Sequence, residues 1–140
     1  MSLSEQEIID RFHAKAPKFI RMLGGRFVAV DQAAKSCTME YDIGTDFCHS
    51  GDIVQGGFIT AMLDAVMSHA VFGQRDGVVS LSSLEIKTSY LETTRAGRLR
   101  AEGFILRAGY KLAFIEGRLY DQSGTLTATA STVAKLIRKG

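Results

Sequence analysis

Tryptophan is absent from this 140-residue chain, proline occurs once, at Pro17, and cysteine occurs twice. With no proline beyond position 17, nothing later in the chain removes a backbone N–H from a strand or helix. Cys37 and Cys48 carry no CxxC or other metal-ligand spacing, which excludes a disulfide framework and a structural zinc site. Together with the lack of a signal-peptide pattern, they read as reduced thiols of a cytoplasmic protein. No apolar run reaches the length needed to cross a membrane. Charge of either sign is scarce in excess: 17 Lys and Arg stand against 15 Asp and Glu, a net +2, and no stretch concentrates them into a basic face. Nucleic-acid and membrane partners are therefore not expected. His, Cys, Asp and Glu form no cluster with metal-ligand spacing, so no metal is expected either. No serine sits in a nucleophile-elbow pattern. Repeats, linkers and low-complexity segments are also missing.

What is present is a chain of single-domain length, expected to fold as one unit over 1–140, with 46% hydrophobic and 23% charged residues. Ser4 and Glu7 have capping-box spacing, and Ile8, Ile9, Phe12, Phe19, Ile20 and Leu23 recur at helical intervals, with Pro17 interrupting or restarting the helix. Gly24-Gly25 closes this part. The period then changes to two: Phe27 to Val30 reads as a short strand, and Cys37, Met39 and Tyr41 alternate with polar residues as a second. Residues 44–54 read as a loop. Residues 55–72 form the one long apolar helical pattern, apolar around most of its circumference and so predicted to be buried on nearly all sides. Four strands follow, over 78–91, 97–106, 111–120 and 125–137. One hydrophobic helix among six strands implies an α+β architecture, an antiparallel sheet wrapped around one long central helix.

The chemistry concentrates in "HSGDIVQGGFITAMLDAVMSHAV". Gly56-Gly57 falls where the central helix begins, at unpaired N–H groups and the positive end of the helix dipole. Without a Cβ on either residue a ligand carbonyl can approach, making an oxyanion-type site; the same pair could serve only a tight turn. Asp64 lies eight residues past Gly56, roughly 12 Å along the axis. It cannot serve a carbonyl held at Gly56 of its own helix, but it could serve one held by an antiparallel second copy. Apolar neighbours at 61, 62, 63, 65 and 66 argue for a part-buried carboxylate with a raised pKa, against a carboxylate on an exposed face. His49 could orient a substrate or act as an acid, or lie idle in a surface loop. His69 reads as a core or interface histidine.

This segment resembles the hotdog-fold acyl-CoA thioesterases, most closely the phenylacetate-degradation and 4-hydroxybenzoyl-CoA thioesterase group. Those proteins carry N-x-x-G-x-x-H-G-G followed by a helix with Asp or Glu eight residues after the first glycine. The later "GYKLAFIEGRLYDQSGTLTATASTVAKL" is similar to the family's last two strands, so the likeness spans nearly the whole chain. It implies an acyl-CoA thioester hydrolase with Gly56 N–H polarising the carbonyl and Asp64 of the partner subunit as base or nucleophile. Gln55 falls where many members have His, and His49 where they have Asn or Gln. Asp52 stands where glycine is frequent, and Ser83 matches a Ser or Thr that helps hold the water. Coenzyme A enters as part of the substrate and no cofactor is implied. Its phosphates imply basic contacts, for which Arg95, Arg98, Arg107 and Lys111 are candidates beside Gly57. The shared site implies a homodimer, with a dimer of dimers, a homotetramer, as its extension. A hydroxyacyl-thioester dehydratase or hydratase is the alternative enzyme, though the His-Phe-Pro-Gly turn and the Asn-Pro-x-His element are both missing. A non-catalytic acyl-CoA binding protein is the third reading. Phe58, Met62, Met67 and Phe72 are candidates to line the acyl pocket.

Overall fold

The computed structural model describes residues 2–139. Helix α1 (Glu5–Lys15) starts on the expected capping box: Ser4 Oγ accepts from Glu7 N–H at 3.1 Å and Glu7 Oε1 accepts from Ser4 N–H at 3.0 Å. Pro17 separates α1 from the single-turn α2 (Lys18–Met22), since the residue before a proline is pushed out of the helical region. Strands β1 (Gly25–Asp31) and β2 (Ser36–Ile43) form a hairpin. The segment expected to be a loop, residues 44–54, carries short regular elements. It holds a 3-10 turn (Thr45–Phe47) and a tight hairpin of β3 (Cys48–Ser50) and β4 (Ile53–Val54), turned at Gly51 with φ +56°. Helix α3 (Gly56–Phe72) and strands β5 (Val78–Tyr90), β6 (Gly97–Ala108), β7 (Leu112–Tyr120) and β8 (Leu126–Arg138) complete the chain, within a residue or two of the expected limits.

The six long strands make one antiparallel sheet in the order β1-β2-β6-β7-β8-β5, and α3 packs across its face. The sequence explains how close the helix comes. Gly103 on β6 and Gly117 on β7 are directly paired, and both face α3. A Cβ on Gly103 would stand 2.6 Å from Val66 O, so only glycine lets the helix backbone rest on the sheet there. Ile59, Met62, Leu63, Val66, Met67 and Ala70 fill the remaining space and are sealed from solvent. Tyr41, fully buried on β2, donates its hydroxyl to Met62 O at 3.1 Å and so ties the sheet to the helix without leaving a buried polar group unsatisfied.

The helix is not covered on all sides. Gly57, Ala61, Asp64 and Ser68, spaced four and three apart, form a stripe that stays partly or wholly exposed. Phe58, expected in the core, is 37% exposed and packs edge-on against Phe47. Strand β5 lies at the sheet edge with β8 as its one neighbour, and a bulge between Ser83 and Glu85 shifts its register midway. The thiols of Cys37 and Cys48 are both free, and burial pushes Cys37 up to about 12.

Candidate active site

Gln55 caps α3. Its side-chain Oε1 accepts from Gly57 N–H at 2.7 Å, and its own N–H donates to Phe47 O, which fixes the hairpin loop to the start of the helix. The cap leaves the two glycines unequal. Gly57 N–H is occupied, whereas Gly56 N–H meets no acceptor among the described residues. The first turn of α3 therefore presents one free donor at the positive end of the helix dipole.

Gly56 is held from the other side by a residue that periodicity did not single out. Tyr90, the last residue of β5, donates its hydroxyl to Gly56 O at 2.8 Å. Thr60 Oγ1 lies 3.2 Å from that hydroxyl and 2.8 Å from Thr88 Oγ1, so three polar side chains link the helix start to the strand end. A Cβ on Gly56 would fall 2.9 Å from Tyr90 Oη, a second reason for glycine at this position. The signal was present as the alternation of residues 86, 88 and 90, but nothing in the sequence says which element that face meets. Gly56, Tyr90, His49 and Glu92 border a cleft of about 540 Å³. His49 sits exposed at its edge, with Nδ1 2.9 Å from Ser50 Oγ.

Asp64 lies two turns further along α3 and does not meet this cleft. It is partly buried, and Ser83 Oγ of the same chain donates to its Oδ1 at 3.1 Å. Burial raises the Asp64 carboxyl above its ordinary value; the Ser83 hydrogen bond opposes that, with the smaller effect. A carboxylate so held can accept a proton or attack a carbonyl carbon, and Ser83 fixes which oxygen lone pairs remain available.

The basic candidates do not form one cluster. Arg95 is paired with Asp52 at 2.6 Å, and Arg98 with Asp42 at 3.4 Å. Arg107 stands nine residues beyond Arg98 at the far end of β6, roughly 30 Å away. Lys111 is in the β6–β7 turn, where its carbonyl accepts from Leu136 N–H. Of the apolar candidates, Met62 and Met67 are sealed in the core, while Phe72 borders a second cavity. His69 is largely buried among Phe12, Phe27 and Phe72. Among the described residues no group of three or more His, Cys, Asp or Glu is placed to hold a metal ion, and no helix is long and apolar enough to cross a membrane.

A free helix-start donor and a part-buried carboxylate on one helix, under a curled antiparallel sheet, can be compared with known proteins. The family model of the thioesterase superfamily matches residues 51–128, the stretch that carries Gly56, Asp64, Ser83 and Tyr90. The chain belongs to the thioesterase superfamily. Its six-stranded sheet wrapped over one long helix is the hotdog fold. The phenylacetic acid degradation-related protein of Ralstonia eutropha JMP134 is 32% identical, with 94% of this chain and 99% of that one aligned at a TM-score of 0.84. The Escherichia coli PaaI protein of the phenylacetic acid degradation operon shares the fold at 15% identity, covering 95% of each chain with a TM-score of 0.83. A Haemophilus influenzae thioesterase does so at 14% identity, over 99% of this chain and 93% of that one, at 0.80. No protein of curated function matches the sequence. Superfamily membership supports thioester hydrolysis as the reaction class.

Proposed function

We propose that this protein hydrolyses acyl-CoA thioesters as a homodimer, with each active site built from the Gly56 N–H of one subunit and the Asp64 carboxylate of the other. The observation that carries this reading is the separation of the two groups. An unclaimed Gly56 N–H and a part-buried Asp64 lie roughly 12 Å apart on one rigid helix, too far to act on one carbonyl. Two antiparallel copies of α3 bring one group of each chain together, twice. Strand β5 favours such a pairing: thirteen residues at the sheet edge bonded on one side, including Leu84 at 60% exposure. The exposed small-residue stripe through Asp64 lets two helices approach.

The thioester carbonyl accepts a hydrogen bond from Gly56 N–H, which stabilises the oxyanion as it forms. Asp64 takes a proton from a water also held by Ser83, and the resulting hydroxide adds to the carbonyl carbon. The tetrahedral intermediate collapses by breaking the C–S bond. The coenzyme A thiolate leaves as a good leaving group, and the proton on Asp64 returns to it. Alternatively Asp64 itself adds to the carbonyl, giving a mixed anhydride that water then opens. His49 borders the cleft beside Gly56 of its own chain and orients the thioester; Gln55 keeps the helix start fixed. Arg95 and Arg98, at the Gly56 end, are the candidates nearest the cleft for the coenzyme A phosphates. Leu112 and Phe114 are exposed on the sheet face away from α3 and offer a surface through which two dimers would pair into a tetramer.

The test is thiol release from a panel of acyl-CoA thioesters, with Asp64→Asn as the control. Full activity in that variant would sink the mechanism. A single turnover in ¹⁸O-water identifies the nucleophilic route where water opens the anhydride at the Asp64 carbonyl, since label then enters the Asp64 carboxylate, which the general-base route never labels.

A further inference from the structure

The second cavity lies at the other end of α3 from Gly56. It has a volume of about 530 Å³ and is bounded by α1, the C-terminal end of α3 and the start of β5. Its floor is apolar and aromatic. Phe12 and Phe72 pack edge-on to His69, with ring centroids 4.8 and 5.5 Å away, and Val79, 60% exposed, forms a wall. His69 donates Nδ1–H to Ala65 O at 2.8 Å, and burial lowers its pKa, so the floor carries no charge at neutral pH. Three cations border the same space: Arg11, Lys15 and Arg75. None of them pairs with a carboxylate among the described residues, and no acidic side chain lines the cavity. Arg75 also holds a left-handed backbone at φ +58°, a conformation in which glycine or asparagine would be at less cost.

The position of this cavity relative to Asp64 follows from the connection between α3 and β5. From the Asp64–Ser83 hydrogen bond, the helix runs forward to Phe72, roughly 12 Å on. The strand runs back to Val79, roughly 13 Å in the same direction. The cavity thus opens at the far end of the gap that begins at the Asp64 carboxylate, while the cleft at Gly56 and Tyr90 lies at the opposite end. In an antiparallel dimer the partner's Gly56 stands level with this Asp64, so an acyl group running from the carbonyl toward Phe72 and Val79 enters this cavity, while coenzyme A lies along the partner's cleft.

We propose that this cavity receives the acyl group, and that Arg11, Lys15 and Arg75 select acyl groups ending in a negative charge, such as the half-thioester of a dicarboxylic acid. The apolar floor accommodates the methylene or aromatic body, and the cations at the mouth meet a distal carboxylate after most of the chain has been desolvated. The inference rests on the thioesterase reading above, and deepens it by naming a substrate class.

The experiment compares hexanoyl-CoA with adipyl-CoA, acyl groups of equal length that differ at the far end by a methyl against a carboxylate. The wild-type kcat/KM is expected to favour adipyl-CoA, and R75G with K15A should lower the adipyl-to-hexanoyl ratio by about tenfold, the size of a charge-assisted hydrogen bond. Glycine at 75 relieves the left-handed backbone, so R75G keeps the fold. The same pair as N-acetylcysteamine thioesters, which lack phosphates, should show the same change in ratio. A wild-type ratio of one or below overturns the inference. So does an equal loss on both CoA thioesters that disappears with the N-acetylcysteamine thioesters, which would give the cations to the nucleotide phosphates. Calorimetric binding of the two CoA thioesters to Asp64→Asn reads the cavity without turnover. If the wild type hydrolyses neither thioester yet this binding preference is present and lost on R75G, the hydrolase reading fails and the cavity assignment stands.

Discussion

Strands β7 and β5 belong to one sheet and were built for different ends. In β7, Ala113, Ile115 and Leu119 are at most 1% exposed, and the strand has neighbours on both sides. Strand β5 is longer, yet none of its residues is fully buried; Val79, Leu84 and Tyr90 are each more than half exposed. A long hydrophobic edge of this kind is a liability in a monomer. It is also where the candidate site gathers: Ser83 holds Asp64 and Tyr90 holds Gly56. The centre of the sheet is complete within one chain. On the proposed reading a second copy finishes the edge, and substitutions in the two regions should fail in different ways.

The largest effect is expected at the edge. Asp64→Asn should lower kcat by about 10²–10⁴-fold, the contribution of a positioned proton acceptor, with the fold intact by circular dichroism. A variant that blocks Gly56, such as Gly56→Val, should be as inactive. Mixing the two inactive proteins after reversible dissociation should restore about one quarter of the wild-type sites, because half of the random dimers are mixed and each carries one intact site. No recovery, with mixed dimers demonstrated, would mean that both groups act within one chain or not at all.

At the centre the expected failure is in stability. Gly103→Ala sets a methyl 2.6 Å from Val66 O, where backbone must move to admit it. The cost should be about 1–3 kcal/mol, read as a fall of several degrees in Tm. Leu84→Ser, on the exposed edge, should leave the stability of a separated chain nearly unchanged and weaken dimerisation instead, which sedimentation measures. Equal Tm losses for the two would erase the contrast between the regions.

The same contrast explains what could be read from the sequence. The periods of two and 3.6 locate every long element because they record burial within the chain, and β2 and α3 are clear for that reason. The spacing from Gly56 to Asp64 is also legible, since a helix converts residue count into distance. Tyr90 was not legible, because its bond to Gly56 O joins residues 34 apart and depends on the β5–β8 register. The exposed side of α3 was misjudged for a related reason. A helix apolar around its circumference implies cover everywhere, but among the described residues Gly57 is left exposed and Ala61 and Ser68 only partly covered. The β3–β4 hairpin was hidden because its strands are too short to show a period.

The smallest effect concerns pH and the stability cost of Asp64. Its folded-state pKa is raised, chiefly by burial, above the value in the unfolded chain. The folded protein therefore binds that proton more tightly. The group's favourable contribution is complete below the unfolded pKa and is lost as pH rises through the folded one. Above that point the ionised carboxylate is a destabilising charge, and Asp64→Asn removes it. The variant should melt about 1–3 °C above the wild type at neutral pH, and the gap should close as pH falls from the raised folded-state pKa to the ordinary carboxylate value. The acid limb of the wild-type kcat/KM should lie above that range, because it reports the same ionisation. A gap independent of pH would show that the Asn gains by packing rather than by loss of charge, and would detach the carboxylate's burial from its titration.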